Sequence, residues 1–208
     1  MLTVEENVFL AKRNIVDSIW KEANIEGISA TFPETKEVFE GRTVSRLSVD
    51  DTVKINNLKH AWQFLFDTLD VPIDVFYIKQ MNTEIGQGVV YKAGDLRIGT
   101  VTIGGTSWKP EIPTHEKFKA DIETILSSYE GVECALKMFA FICRTQPFND
   151  GNKRTAQLVA NKILIESGCG IFAIAPEDKL EFETLLVDYY ESADDQKLLQ
   201  FLKKSISQ

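Results

Sequence analysis

A polar ten-residue segment between two apolar helices constrains the fold of this chain more than any other feature. The segment runs from Gln146 to Thr155. Both flanks repeat apolar residues every three and four positions, the spacing of a buried helical face. These residues are Val132, Ala135, Leu136, Phe139 and Ile142 before the segment, and Ala156, Val159, Ala160, Ile163 and Leu164 after it. Gly168 supplies a stop signal for the second helix. The pattern predicts two core helices joined by a polar turn.

The turn contains residue types that suit phosphate binding. We expect the second helix to begin near Asn152, where free backbone N–H groups favour an anion. Gly151 permits close approach of a ligand to the backbone. Lys153 and Arg154 add positive charge, which the helix dipole disfavours unless an anion is present. Asp150 supplies an oxygen ligand for Mg²⁺. The alternative is a plain interhelical turn with an aspartate cap, which the coincidence of these features makes weaker.

The segment resembles the signature of the Fic/Doc (Fido) family, His-x-Phe-x-Asp/Glu-Gly-Asn-Gly/Lys-Arg-x-x-Arg. Six residues match it in order and spacing, namely Phe148, Asp150, Gly151, Asn152, Lys153 and Arg154. Residues 23–27 resemble the end of the family's inhibitory motif, Ser/Thr-x-x-x-Glu-Gly/Asn, and residues 88–113 resemble the flap that precedes the core helices. The resemblance implies a mainly helical Fido fold, an all-α class with one β-hairpin flap.

Three positions depart from the family pattern. Gln146 stands where the family has its catalytic His, Gln157 at the second Arg, and Glu22 at the Ser/Thr of the inhibitory motif. In the family, the His takes a proton from a target hydroxyl, which then attacks a nucleotide phosphate. An amide has no suitable proton affinity, so Gln146 is expected to orient a hydroxyl or water without accepting its proton. His60 and His115 lie far from the signature, and we expect both on the surface.

The phosphate-binding half of the signature is better preserved. The resemblance implies an anion site at Gly151 and Asn152, phosphate contacts from Lys153 and Arg154, and a Mg²⁺ ligand in Asp150. ATP or another nucleotide is then the implied co-substrate. A lysine within the signature and the missing second arginine are closer to the Doc branch, whose members transfer a γ-phosphate rather than AMP.

Glu26 is the candidate inhibitory residue, in a candidate inhibitory helix within residues 1–30. It lies eleven residues beyond Ile15 on the apolar stripe of the predicted N-terminal helix, about three turns, and therefore points inward. An inward carboxylate needs a partner. Because Gln157 replaces the arginine of the family's ion pair, we expect Glu26 to meet Lys153 or Arg154 instead. The alternative is a surface glutamate just beyond a frayed helix end.

The flap region, residues 88–113, carries the one convincing strand signal of the chain. Val89 to Tyr91, a turn over residues 92–95 and a second run from Ile98 to Ile103 predict a β-hairpin. Such a flap offers backbone donors and acceptors to an extended target segment. The alternative is a connector that only covers the core, and the pattern alone leaves the two balanced.

The rest of the chain is predicted to be helical. Capping signals and apolar spacing predict helices over residues 4–24, from Ser48 or Asp50 to Leu69, over 73–84 and 114–127, from Pro176 through Tyr189, and over 196–206, with an irregular stretch over 28–49. Together with the core signature helices, within 130–168, they predict a single Fic/Fido domain over residues 1–208.

The composition limits the class of protein and the kinds of partner that we expect. The hydrophobic content of 44% is ordinary for a globular protein. The net charge of −8 argues against nonspecific binding to nucleic acid or to an anionic membrane. Cys134, Cys143 and Cys169 are an odd number in apolar or turn contexts, so disulfides are not expected and a reducing cytoplasm fits. Neither a signal segment nor a membrane-length apolar run is present in the sequence.

Two functions of different classes follow. The first is a Fic-like transferase that moves AMP, or phosphate in the Doc manner, from a nucleotide to a hydroxyl of an unknown target protein. The second is a catalytically inactive Fido fold that retains nucleotide or phosphate binding and regulates a partner. Loss of a general base typically costs 10²–10⁴-fold in rate, so positioning alone leaves room for residual transfer.

Overall fold

The computed structural model describes all 208 residues and confirms a mainly helical fold. Ten α-helices follow one another: α1 (Val4–Arg13), α2 (Ile15–Ile25), α3 (Phe32–Phe39), α4 (Val49–Asp67), α5 (Val75–Gly86), α6 (His115–Ser128), α7 (Gly131–Thr145), α8 (Asn152–Glu166), α9 (Lys179–Ser192) and α10 (Gln196–Lys204). A 3₁₀ turn (Pro176–Asp178) precedes α9. The strands β1 (Ile171–Phe172) and β2 (Ile206–Ser207) pair antiparallel and tie the end of the chain to the segment after α8.

Helix α8 is the central element of the core. Thirteen of its fifteen residues are buried, and it packs along α7 and against α5, α4 and α1. Two of its buried polar residues bond to neighbouring backbone. Asn161 donates to the carbonyl of Phe172 (2.9 Å) and accepts from its N–H (2.7 Å). Lys162 donates to the carbonyls of Thr68 and Leu69, just after α4, at 2.9 Å each. These bonds fix the position and rotation of α8, and so the position of its first turn.

The predicted helix starts are largely confirmed. Thr3 and Glu6 form the capping box of α1, Ser48 caps α4 and Thr114 caps α6. Helix α8 begins at Asn152, as the sequence predicts.

The prediction of one N-terminal helix over residues 4–24 is wrong in one respect. Asn14 separates α1 from α2, with φ −102° and ψ 9°. Its side-chain amide donates to the carbonyl of Leu10 at 2.8 Å. Asparagine side chains compete in this way with the helical backbone ladder, which accounts for the break.

The irregular stretch predicted over residues 28–49 contains a helix that the sequence analysis missed. Helix α3 begins after Thr31, which forms a capping box with Glu34, and Pro33 occupies its first turn. The Thr-x-x-Glu spacing and the proline were the available signals.

The predicted β-hairpin in residues 88–113 does not form. Residues 88–95 are turns, and the sole ladder contact of the region is an isolated bridge between Leu96 and Phe148. The Val90 N–H bonds to the carbonyl of Gly86 at 2.8 Å, and the Gly94 N–H bonds to the side chain of Asn82 at 2.8 Å. The first of these bonds takes an N–H group of the predicted first strand, and the second lies within the predicted turn.

Two further findings concern membrane crossing and the cysteines. None of the helices combines the length and the apolar character that crossing a bilayer requires. The three cysteines are free and buried, as expected.

Candidate active site

The signature turn connects α7 to α8 through two left-handed residues. Gln146 ends α7 with φ 46° and ψ 58°, and Gly151 precedes α8 with φ 78°. A Cβ at position 151 would lie 3.1 Å from Nδ2 of Asn82 and 3.2 Å from a methyl group of Ile85. Glycine is therefore required here both by the backbone conformation and by the close approach of α5.

The start of α8 presents three unsatisfied backbone donors. The N–H groups of Asn152, Lys153 and Arg154 have no backbone acceptor, while the next one, that of Thr155, bonds to the carbonyl of Gly151 at 2.8 Å. Free N–H groups and the positive end of the helix dipole favour an anion at this position.

The side chains of Asn152 and Gln146 close the turn on itself. Oδ1 of Asn152 accepts from the N–H of Phe148 (2.9 Å), and its Nδ2 donates to Oε1 of Gln146 (3.0 Å). Nε2 of Gln146 donates to the carbonyl of Cys143 at 2.6 Å. Both ends of the Gln146 amide are thus engaged, and an incoming hydroxyl would have to replace one of these bonds.

The two cations of the signature share one carboxylate. Oε1 of Glu26 lies 3.3 Å from Nζ of Lys153, and Oε2 lies 3.3 Å from Nε of Arg154. Glu26 is 14% exposed and Arg154 is 3% exposed. The sequence predicted that Glu26 points inward and meets one of these residues, and it meets both.

The guanidinium of Arg154 is buried yet poorly bonded. Its Nε and one terminal nitrogen have no hydrogen-bond acceptor, and Oε1 of Glu26 has no hydrogen-bond donor. Buried polar atoms are normally paired, so unpaired donors beside the first turn of α8 suggest a place for an acceptor that is not part of the chain.

A second, inner contact lies behind this ion pair. Nε2 of Gln157 donates to Oε1 of Glu22 at 3.1 Å, and both side chains are buried. Burial raises the pKa of Glu22 to about 8, which nearby Arg154 only partly offsets. The sequence analysis noted both residues as departures but missed their contact. The signal was available, because Glu22 lies seven residues beyond Ile15 on the inward stripe of α2.

Asp150 is the exposed carboxylate of the turn. Its side chain is 61% exposed, with Oδ2 at 3.6 Å from Arg154, and its Oδ1 accepts from the N–H of Gly151 at 2.6 Å. The structure has no cluster of three potential metal ligands. Mg²⁺ is commonly held by one or two carboxylates together with substrate phosphates, so the donor set fits a metal that arrives with a nucleotide.

Five of the residues described above, Glu26, Gln146, Asp150, Asn152 and Lys153, line a cleft of about 660 Å³. The signature turn and Glu26 form one side, and residues 103–105 and helix α9 form the rest, with Glu183, Asp188 and Tyr190 facing the cleft. The sequence analysis missed this contribution of α9, since amphipathic spacing alone does not show which element a helix will face.

Arg97 joins the flap to the signature turn. It is 1% exposed, and its guanidinium donates only to backbone carbonyls. These are the carbonyls of Gln146 (2.6 Å), Gly99 (2.7 Å), Glu111 (2.5 Å), Pro110 (3.2 Å) and Thr145 (3.4 Å). Its own N–H bonds to the carbonyl of Pro147 at 2.9 Å. The sequence analysis missed this residue, because no local pattern marks an arginine that binds carbonyls distant in sequence.

Residues 98–103 leave an unpaired backbone edge beside the turn. None of their N–H groups has a backbone acceptor, and the side chain of Ile98 is 86% exposed. The following residues are held to α9, where Glu191 accepts from the N–H of Ser107 at 2.6 Å.

The predicted surface positions of His60 and His115 are confirmed, and neither residue lines the cleft.

Comparison with known proteins agrees with this geometry. Residues 72–164 match the model of the Fic/DOC family. The chain is 23% identical to the protein adenylyltransferase Fic of Culex quinquefasciatus over 92% of its own length and 39% of the relative. It thus spans about two-fifths of the length of that relative.

Solved structures share the fold. Fic-1 (residues 134–508) from C. elegans superposes with a TM-score of 0.81 at 22% identity, covering 95% of this chain and 62% of that one. The BepC protein of Bartonella tribocorum with bound AMPPNP superposes with a TM-score of 0.52 at 14% identity, covering 73% of this chain and 85% of that one. The chain therefore shares the fold of these solved structures, and residues 72–164, which contain α7, the signature turn and most of α8, are similar to the Fic/DOC family.

Proposed function

We propose that this chain is a nucleotide-dependent, protein-modifying transferase of the Fic type with an atypical site. The observation that most supports this proposal is the buried guanidinium of Arg154. Two of its nitrogens have no hydrogen-bond acceptor, and it lies beside three free N–H groups at the start of α8. A nucleotide phosphate supplies hydrogen-bond acceptors to the guanidinium and to the free N–H groups alike. The AMPPNP held by BepC and the adenylyltransferase name of the mosquito relative support a nucleotide as co-substrate.

Each residue of the signature then has a proposed role. Gly151 and the N–H groups of Asn152, Lys153 and Arg154 bind phosphate oxygens. Asp150 would hold a Mg²⁺ that accompanies the nucleotide, and such a metal would supply positive charge next to the transferred group. The adenylyltransferase relatives favour transfer of AMP, whereas Lys153 favours the Doc-like transfer of phosphate, so both products belong in the test.

The proposed protein target adds as a strand to the flap. The unpaired edge at residues 98–103 offers backbone donors and acceptors, and Ile98 offers an apolar contact. Arg97 holds this edge and the Gln146 backbone in one arrangement. A hydroxyl on the added strand is therefore delivered towards the turn, where Gln146 is to orient it.

Glu26 has a proposed inhibitory role. Its carboxylate lies against Lys153 and Arg154 and competes there with a nucleotide phosphate. When a phosphate replaces the Glu26 carboxylate, both cations stay paired, so displacing Glu26 costs little free energy.

A second candidate function is a nucleotide-binding regulatory module without transfer activity. The observation in its favour is the Gln146 amide, which is bonded at both ends within the turn and has no capacity to accept a proton. Under this alternative, nucleotide binding at α8 displaces Glu26 and changes the surface that α2 presents to a partner.

One experiment separates the two. A cell lysate is incubated with the protein, Mg²⁺ and ATP, and intact masses of the lysate proteins are compared with those from a reaction with Arg154→Ala. Added AMP or phosphate that depends on Arg154 establishes the transferase and identifies its product. Calorimetric binding of Mg²⁺–ATP without any transferred mass establishes the binding module. Absence of both binding and transfer contradicts the proposed site.

A further inference from the structure

A second cleft, separate from the first, lies behind the flap. Its volume is about 560 Å³, and it lies between residues 108–114, α6, α7 and one residue of α9, Tyr189. None of its lining residues belongs to the first cleft. A volume of this size is within the range of small-molecule sites.

Arg144 supplies an uncompensated cation to this cleft. Its guanidinium carbon lies 3.8 Å from the ring centroid of Trp108 and 5.6 Å from that of Tyr189. One terminal nitrogen donates to the carbonyl of Tyr190 at 3.2 Å, and Nε is buried without an acceptor. Arg144 forms no ion pair with any carboxylate of the chain, whereas the other cation at the cleft, Lys117, is paired with Asp121 at 3.0 Å.

The start of α6 adds to this positive character. The helix begins at His115 after its cap, Thr114, and Thr114 and Lys117 both line the cleft. The fourteen-residue helix therefore directs the positive end of its dipole at the same space. Two independent features, an unpaired guanidinium and a helix start, thus favour one negative charge.

The lining also includes two carboxylates, that of Asp121, which pairs with Lys117, and that of Glu111, which is exposed. The other walls are apolar and partly aromatic. They comprise Trp108, Pro110, Ile112, Pro113, Ile125 and Phe141, and Ile112 is 47% exposed. A highly charged ligand such as a nucleotide would leave most of its polar groups unpaired against these walls. A ligand with a single charge and a hydrocarbon body would satisfy both Arg144 and the apolar surface.

We propose that this cleft binds a small apolar carboxylate, such as an aromatic or branched-chain acid. The carboxylate pairs with Arg144, and the hydrocarbon body packs between Trp108 and Phe141. The ligand also contacts backbone that supports the first cleft, because Arg97 bonds to the carbonyls of Thr145 and Pro110 on this wall and to that of Gln146.

The test uses phenylacetate as the probe and phenylacetamide as its uncharged match. The indole N–H resonance of Trp108, identified with Trp108→Phe, is followed by NMR during titration of the intact chain. The expected result is a saturable shift with phenylacetate and binding at least about tenfold weaker for phenylacetamide. Arg144→Gln is expected to weaken phenylacetate binding to the same extent.

A second variant protects the test against a folding defect at Arg144. Thr124 lines the cleft from α6, and Thr124→Trp is expected to fill the cleft and abolish binding while Arg144 remains. Lys119→Gln, on the same helix but outside the cleft, is the matched control and should bind as the wild type does. Any one of three results would overturn the proposal. These are equal binding of the acid and the amide, unchanged binding by both cleft variants, and no saturable shift with phenylacetate. Binding of acidic peptides without phenylacetate would also overturn it, in favour of a peptide-docking surface.

Discussion

The buried carboxyl of Glu22 makes the stability of this protein depend on pH. Glu22 has no cation bonded to it. One of its oxygens accepts from Gln157 at 3.1 Å, and the other has no donor. The groups around it are Trp62 on α4, Arg154 and Gln157 on α8, and Glu26 one turn further along α2. We expect Glu22 to keep its proton in the folded protein at neutral pH.

The magnitude follows from the difference between the two states. Burial raises the pKa of Glu22 from its ordinary value of 4.5 to about 8, and each pKa unit is worth roughly 1.4 kcal/mol. Below pH 4.5 the carboxyl is protonated in both states, and the full stability is present. Between pH 4.5 and 8 the unfolded chain ionises while the folded protein does not, so the free energy of unfolding falls as pH rises. The total loss is at most about 5 kcal/mol.

The perturbation is Glu22→Gln, which keeps an acceptor for Gln157 and removes the titration. Urea unfolding at pH 5, 6, 7, 8 and 9 should show wild type and variant nearly equal at pH 5. The variant should then become progressively more stable, by several kcal/mol at pH 8. Glu123→Gln on the exposed face of α6 serves as the control and should give a curve parallel to wild type. A constant difference between wild type and Glu22→Gln, within about 1 kcal/mol over the range, would refute the reasoning.

Three further outcomes are expected. Glu26→Gly should tighten Mg²⁺–ATP binding by less than about tenfold in calorimetry, because the contacts of Glu26 with Lys153 and Arg154 are long and a phosphate that replaces Glu26 leaves both cations paired; a hundredfold gain would contradict this. Gln146→His should raise transfer of label from ATP to lysate proteins, since imidazole accepts a proton near neutral pH; a folded, nucleotide-binding variant that stays inert would shift attention to Lys153 and Gln157. Arg97→Met should destabilise the chain by about 1–3 kcal/mol, because five backbone carbonyls, most of them partly buried, lose their donor. Hydrogen exchange should accelerate in residues 145–148 more than in α10; uniform exchange would contradict the coupling.

Much of the helical framework could be predicted from local signals. The Thr3–Glu6 box, the Ser48 and Thr114 caps and the start of α8 at Asn152 each depend on residues within one helical turn. Such signals act before tertiary packing and so are visible in the sequence.

The flap could not be predicted in the same way. Its alternating apolar residues indicate strands. However, the side chains of Asn82 and Arg97, which lie outside that pattern, bond to backbone groups of Gly94, Gly99 and Gln146. The inner contact of Glu22 with Gln157 also joins residues 135 positions apart. Long-range side-chain bonds of this kind are set by packing, and a single sequence does not show them.

The left-handed backbone at Gln146 determines which residue types fit this position best. Histidine is among the non-glycine residues that adopt this conformation more readily than most, and glutamine is not. The turn at φ 46° therefore has a shape better suited to the family's residue than to the one present. Codons for glutamine and histidine differ by a single nucleotide, so one base change would place at this turn a side chain that its main chain accommodates.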